Sequence, residues 1–142
     1  MSSGLGVSEL EHVLVLTDDI ESTRAFYEQA VGLSTGERPE LEFPGYWLYA
    51  GGVPCVHVAD RAAYRAHAAT LGLNVGERGG GAGGSRSAPV DHIAFSASDY
   101  DAVTARLDAA GIEAVRNDVP GGGPRQLFFE DPEGLRVEIN VK

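Results

Sequence analysis

Three histidines and one glutamate recur at matching intervals along this chain. His12 precedes His92 by almost the same number of residues as His57 precedes Glu138. Imidazole and carboxylate groups are ligands that Fe, Zn, Mn, Ni and Co accept, and three or four such ligands leave coordination positions open for water or substrate. Any one of these residues alone is more simply explained as a satisfied polar residue in a strand. Their equivalent spacing, however, predicts a divalent-metal site that serves catalysis.

The last strand of each half carries one of the four residues. Residues 135–141 alternate between apolar and polar side chains, so Glu138 points away from the apolar face of its strand. His57 lies between two valines in the same way. A carboxylate that faces inward requires a metal or another cation. We therefore expect the four residues to converge if the two halves pack with pseudo-twofold symmetry.

The element that positions His12 is a strand followed by a helix. Residues 8–17 are rich in apolar and β-branched side chains and favour a strand. The strand leads into the N-cap of a helix, either Thr17 or Asp18, and the helix is expected to continue to about residue 31, where a glycine ends it.

The same order is predicted again around His92. Residues 89–98 favour a strand, Ser98 is the predicted N-cap, and Asp99 is the predicted acidic residue of the first helical turn. The apolar stripes of the two helices are separated by the same interval as His12 and His92: Ile20, Thr23, Tyr27 and Ala30 in the first, and Tyr100, Val103, Leu107 and Ala110 in the second.

Each predicted helix is followed by further strands, which indicates two homologous units of the α+β class. Residues 46–58 are strand-like in the first unit, and residues 125–141 form two strands joined by an EDPEG turn in the second. We expect a single domain, residues 1–142, that contains a first unit at 8–58, a short helix and Gly/Ser linker at 59–89, and a second unit at 90–142.

Composition excludes several classes of function. The net charge is −10, with 21 acidic and 11 basic residues, which opposes binding to nucleic acid or to an anionic membrane. The sequence contains no apolar stretch long enough to span a membrane and does not begin like a signal peptide, so a cytoplasmic protein is expected. The single Cys55 excludes an intrachain disulfide.

The chain resembles the vicinal oxygen chelate superfamily over nearly its whole length. Three stretches carry the resemblance: LEHVLVLTDDIESTRAFYEQAVGL, VDHIAFSASDYDAVTARLDAAGI and FFEDPEGLRVEINV. The resemblance implies a glyoxalase-like fold, in which two βαβββ modules form curved mixed sheets around a central metal site. It also implies a homodimer, with the site formed either within one chain or across the dimer. The family places ligands on the first and last strands of each module, which assigns His12, His57, His92 and Glu138 to the metal.

The resemblance further implies a metal acting as a Lewis acid on a small substrate that chelates through two neighbouring oxygens. Lyase or isomerase chemistry is slightly favoured. Glu138 and His57 are the candidate catalytic residues. Glyoxalase I usually carries Glu or Gln at the position of His57, so this imidazole is either a ligand or a proton shuttle.

Three alternatives stay open at this point. His12, His92 and Glu138 fit the facial triad of an Fe(II) extradiol dioxygenase, with His57 left over as an acid or base. A fosfomycin-resistance enzyme would need a cationic pocket, for which Arg125 and Arg136 are the candidates. A bleomycin-type drug-binding protein would be acidic and dimeric and would need no metal.

Overall fold

A computed structural model of the protein describes residues 9–73, 90 and 92–142. The first half contains one helix and four strands. Its elements are, in order, β1 (Val13–Thr17), α1 (Ile20–Phe26) with a π-helical extension (Tyr27–Val31), β2 (Ser34–Gly36), β3 (Gly45–Ala50) and β4 (Val53–Asp60). A second helix, α2 (Arg61–Thr70), follows β4. The helix predicted after residue 59 is therefore present, while the Gly/Ser connection predicted for residues 76–89 lies outside the described residues.

The second half repeats this order. Its elements are β5 (His92–Ala97), α3 (Tyr100–Ala109), β6 (Val115–Asp118), β7 (Arg125–Glu130) and β8 (Arg136–Val141). The strands form two separate four-stranded sheets, ordered β1-β4-β3-β2 and β5-β8-β7-β6. In each sheet the first and last strands of the half are parallel neighbours. Parallel neighbours need a long connection, which is provided here by the helix and the two strands that follow it. Two mixed sheets with helices agree with the predicted α+β class.

The helix caps differ by one or two residues from the prediction. Asp19 and Asp99 are the N-caps, and their carboxylates accept hydrogen bonds from Ser22 N and Ala102 N, both at 3.0 Å. These caps repeat the interval that separates the two apolar stripes. The assignments to Thr17 or Asp18 and to Ser98 were wrong, because an N-cap is the last extended residue, and the backbone stays extended through Asp19 and Asp99.

A single hydrophobic core joins the two halves. The apolar faces of both sheets and the inner faces of the helices contribute to it: Val15, Tyr27, Leu48, Val56, Val58, Leu107, Leu127, Phe129, Val137, Ile139 and Val141 are all buried. Helix α3 packs against the π-helical extension of α1. The core therefore lies between the halves, and the opposite face of each sheet, called its open face below, carries the candidate ligands.

Polar contacts fasten the EDPEG turn of the second half to the first half. Tyr27 is fully buried, and its hydroxyl donates to Asp131 Oδ2 at 2.8 Å. Glu133 accepts from Thr17 Oγ1 at 3.0 Å and from Arg61 Nη2 at 2.6 Å. These contacts fix the orientation of one sheet relative to the other. No helix in the described ranges is long and apolar enough to cross a membrane.

Candidate metal centre

His12 and His57 form a stacked pair on the open face of the first sheet. His57 lies in β4, between β1 and β3, whereas His12 immediately precedes β1, so the observed strand begins one residue after it, within the predicted range 8–17. Their rings are 3.7 Å apart between centroids and inclined by 12°. Trp47 of β3 stacks on His57 at 4.2 Å and 10°. Because β4 is the central strand of the three, the imidazole of His57 lies between the other two rings.

Hydrogen bonds fix the tautomers of both imidazoles. His57 Nε2 lies 3.0 Å from the carbonyl oxygen of Pro54, which can only accept, so Nε2 carries the proton and Nδ1 carries the lone pair. His12 Nδ1 lies 2.8 Å from a carboxylate oxygen of Glu11, so Nδ1 carries a proton, and Nε2 carries the lone pair in the neutral form of the ring. A histidine that binds a metal through one ring nitrogen generally donates the N–H of its other ring nitrogen to an oxygen in this way. Each ring therefore offers one nitrogen to a cation.

The surroundings of His57 favour its neutral form. Burial lowers the pKa of His57, and the charge of His12 lowers it further, while the hydrogen bond to Pro54 opposes the shift. A neutral imidazole is the form that binds a metal or accepts a proton. The site is therefore suited to either role at neutral pH.

His92 and Glu138 form the second pair, on the open face of the other sheet. His92 begins β5, and Glu138 lies in the neighbouring strand β8, opposite Ala94. His92 Nε2 and Glu138 Oε1 are 3.3 Å apart. Two ligands of one ion, each at about 2.0–2.2 Å, are separated by about 3.0–3.5 Å, so this distance fits shared coordination. The Glu138 side chain is only 12% exposed, so its carboxylate is largely shielded from water.

Side-chain amides hold the other oxygen of Glu138. Asn140 Nδ2 donates to Oε2 at 2.8 Å, and Gln126 Nε2 approaches the same oxygen at 3.3 Å. Gln126 is in turn oriented by Asn117, which donates to its amide oxygen at 2.8 Å. This amide network fixes the carboxylate so that Oε1 is presented toward His92. The alternation of β8 in the sequence places Asn140 on the same face as Glu138. The other members of the network, Asn117 on β6 and Gln126 on β7, reach that face only through the register of the strands.

The four predicted ligands form two pairs and not one cluster. No three His, Cys, Asp or Glu side chains come close enough to hold a metal within the part of the chain that the structure describes. The four residues therefore do not meet at a common point within the described residues of a single chain. The physical reason is that the halves pack through their helices and core faces, which separates the two open sheet faces.

Several other predicted side chains occupy different positions. Phe129 is buried in the core, and its neighbour Phe128 pairs with Glu138 on the open face. Arg125 lies on the other side of β7 from Phe128, with its guanidinium 3.5 Å from the centre of the Tyr100 ring, so it lies away from the candidate site. This placement removes one of the two cations proposed for a phosphonate pocket.

The family model of the Glyoxalase/Bleomycin resistance protein/Dioxygenase superfamily matches residues 9–139. The chain belongs to this superfamily. The family resemblance inferred from the three sequence stretches is thus confirmed, together with the glyoxalase-like fold.

Relatives of this superfamily member include proteins of different kinds. Glyoxylase I 4 of Arabidopsis thaliana is 31% identical over 139 residues, which cover 95% of this chain and 71% of the plant protein. Lactoylglutathione lyase from Agrobacterium tumefaciens superposes with a TM-score of 0.68 at 21% identity, covering 96% of this chain and 95% of that chain. TnmS3, an antibiotic binding protein from Streptomyces sp. CB03234, superposes with a TM-score of 0.62 at 18% identity, covering 96% and 98%. At these identities the two structures show the fold alone.

Proposed function

We propose that this superfamily member is a divalent-metal-dependent enzyme that acts on a small substrate with two neighbouring oxygens, by lyase or isomerase chemistry. The observation that carries the proposal is the 3.3 Å separation of His92 Nε2 and Glu138 Oε1, with the second carboxylate oxygen held by amides. The stacked imidazoles of His12 and His57 supply two further nitrogen donors. Similarity to a plant protein named as a glyoxalase agrees with this assignment.

We further propose that the two pairs meet across a homodimer. The pairs lie on open sheet faces of different halves, so His12 and His57 of one chain would face His92 and Glu138 of a second copy. Four ligands would then leave two octahedral positions for a chelating substrate. The rings of His12 and His57 are nearly parallel, so His12 must turn before both point at one ion. Its side chain is 35% exposed and lies outside β1, which permits that rotation.

The residues of the chain have distinct tasks in this proposal. The bound metal would polarise an oxygen of the substrate and stabilise the negative charge that develops on it. Glu138 would be held in place through Oε2, and Oε1 would be the oxygen that binds the ion or accepts a proton. His57 would remain neutral because it is partly buried, and its Nδ1 would be the lone pair available for binding or proton transfer. Trp47 would limit access of water to His57.

Metal analysis of protein purified without chelator tests the metal assignment. We expect stoichiometric metal in the wild type and loss of metal in Glu138→Gln, with Glu113→Gln as a matched control at an exposed position. Metal content that is equal in all three proteins would contradict the ligand assignment.

Mixing two defective variants tests the dimeric site. His12→Ala and Glu138→Gln each damage one pair, so a mixed dimer with shared sites contains one site with all four residues intact. Statistical subunit exchange then restores about a quarter of the wild-type metal content, since half of the dimers are mixed and each has one intact site. Sites confined to single chains would give no restoration.

An Fe(II) extradiol-type dioxygenase is the second candidate. It is favoured by the state of His57, whose Nε2 is engaged by Pro54 and whose ring is enclosed by two others. His12, His92 and Glu138 would then bind iron, and His57 would transfer protons. Anaerobic reconstitution with Fe(II) followed by measurement of oxygen uptake with catechol separates the candidates, because only the dioxygenase consumes oxygen.

Drug binding without catalysis is the third candidate. The open face around Trp47 and the acidic composition would suit a cationic aromatic drug. Metal-free protein that binds bleomycin with micromolar or tighter affinity would favour this function, whereas bound metal and no bleomycin binding would exclude it.

A further inference from the structure

Arg38 is a partly buried cation close to the candidate site. Its Nη2 donates to the carbonyl oxygen of Phe43 at 2.6 Å, and its guanidinium lies 5.4 Å from the centre of the Phe43 ring. It makes no salt bridge with a carboxylate of the described residues. Arg38 is half-buried, and this burial lowers its pKa.

The guanidinium of Arg38 lies on the same sheet face as His57. Gly45 and Trp47 of β3 are opposite Ala59 and His57 of β4, so all four positions share one face. A Cβ atom at Gly45 would lie 3.2 Å from Arg38 Nη2. The absence of a side chain at Gly45 therefore lets the guanidinium approach this face of the strand closely.

Among the described residues, Arg38 lacks the acidic partners that hold two other half-buried arginines, Arg24 and Arg61. Arg24 contacts Glu21 and Glu28, and Arg61 contacts Asp18 and Glu133: each of these two cations is held by two carboxylates. The chain has 21 acidic residues and 11 basic residues, so carboxylates are abundant. An arginine that stays apart from them beside a candidate site has a positive charge available for a ligand.

Most of the hydrogen-bonding capacity of Arg38 is also unused. A guanidinium has five N–H donors in a planar fork, and one contact to Phe43 accounts for the hydrogen bonding of Arg38 to described residues. Within the described ranges, the buried side-chain nitrogen that lacks a hydrogen-bond partner is Arg24 Nε. No nitrogen of Arg38 is both buried and unpaired, so its remaining nitrogens reach solvent. Those donors are therefore accessible to a molecule bound at the open face of the first sheet.

We propose that Arg38 is a substrate-binding residue that pairs with a carboxylate, so that the substrate is a small 2-oxo or 2-hydroxy acid. This inference rests on the proposed function, because it places the vicinal oxygens of the substrate between Arg38 and the candidate metal ligands. The planar fork of arginine matches the two oxygens of a carboxylate. The carbonyl of Phe43 holds the fork in position, and Gly45 provides the room.

Paired ligands that differ only in charge test this assignment. Pyruvate and its neutral analogue pyruvamide share a 2-oxo group, and each is titrated into chelator-treated protein so that binding does not depend on metal. The single tryptophan, Trp47, stacks on His57 and reports binding through its fluorescence. We expect the wild type to bind pyruvate about 10-fold more tightly than pyruvamide, the effect of one charge-assisted contact.

Variants assign the preference to Arg38. Arg38→Met is expected to bind both probes equally, and Arg38→Lys is expected to keep part of the preference because a point charge replaces the fork. Arg116→Met, which removes an exposed arginine of β6, serves as the control and is expected to keep the full preference. Equal affinities in the wild type, or an unchanged preference in Arg38→Met, would overturn the proposal.

A measurement on the wild type covers the case in which Arg38→Met does not fold. Pyruvate is expected to shift the Arg38 Nε–H resonance, and pyruvamide is expected to leave it unchanged; identical spectra with both probes would refute the contact. The metal assay stands apart from these results. Absence of the pyruvate preference in a wild type with normal metal content contradicts only the role of Arg38. A full preference in a wild type that is purified without bound metal contradicts only the metal assignment.

Discussion

Replacement of Tyr27 by phenylalanine is expected to loosen the contact between the two halves. The Tyr27 hydroxyl is fully buried and donates to Asp131 Oδ2 at 2.8 Å, so Tyr27→Phe removes one buried donor and leaves a carboxylate oxygen without a partner. A hydrogen bond to a charged group contributes about 1.5–3 kcal/mol. For a chain of this length, we expect a loss of about 2 kcal/mol and a decrease in melting temperature of about 4–8 °C.

The cost is expected to depend on pH through Asp131. Burial raises the pKa of Asp131, while hydrogen bonds from Leu135 N, Tyr27 and Glu133 N oppose the rise. Removal of the Tyr27 hydroxyl raises this pKa further, so the folded variant binds a proton at a pH where the wild type does not. The destabilisation should therefore be small at low pH, where Asp131 is protonated in both proteins, and should grow as pH rises through the folded pKa.

Differential scanning calorimetry between pH 4 and pH 8 measures both effects. Tyr49→Phe is the matched control, because its hydroxyl donates to the carbonyl of Glu37 at the surface and should contribute less than about 1 kcal/mol. Equal melting temperatures for the two variants, or a cost for Tyr27→Phe that does not change with pH, would refute this account of the interface.

Four further outcomes are expected. The pKa of His57, measured by NMR, should lie below its ordinary value of 6.5, because burial favours the neutral ring. The contribution of His57 to the free energy of unfolding should therefore be lost as the pH falls from its pKa in the unfolded chain through its pKa in the folded protein. Replacement of His12 by alanine should raise the pKa of His57, and an unchanged value would show that the stack has no electrostatic effect. Asn140→Ala should weaken metal binding about 10- to 100-fold, because Glu138 loses the amide that orients it; metal titration measures this, and wild-type affinity would contradict it. Asp99→Ala should cost about 1 kcal/mol in urea unfolding and Asp99→Asn much less, because asparagine also caps helices; equal costs would mean that the cap is not the cause.

Local patterns were sufficient to predict the repeated architecture. The interval that separates His12 from His92 also separates the apolar stripes of α1 and α3. This is because both halves repeat the same order of strand and helix, with the same spacing between them. The short strands β2 and β6 lacked a clear signal in the residues themselves. All of their residues are exposed, so no alternation between a buried and an exposed face marks them.

Register decided which neighbours of the candidate ligands share their face. Leu127, Phe128 and Phe129 are consecutive apolar residues, and alternation alone cannot show which of them face the core. Pairing of β7 with β8 places Phe128 beside Glu138 and sends Phe129 inward. The position of Arg38 was still less predictable from the sequence. It lies in a loop, and neither the strand period nor the helix period determines the path of that loop over Gly45.

The sequence by itself determined the two equivalent halves, the strands that carry His57, His92 and Glu138, and the direction of Glu138 away from the apolar face of β8. These properties depend on residue order over a few positions, where strand and helix periods apply directly. Only the tertiary structure decided that the ligands form two separate pairs, because the relative orientation of the sheets is set by distant contacts such as Tyr27 with Asp131. Those contacts join residues that are far apart in the chain, and no local pattern encodes the angle at which they meet.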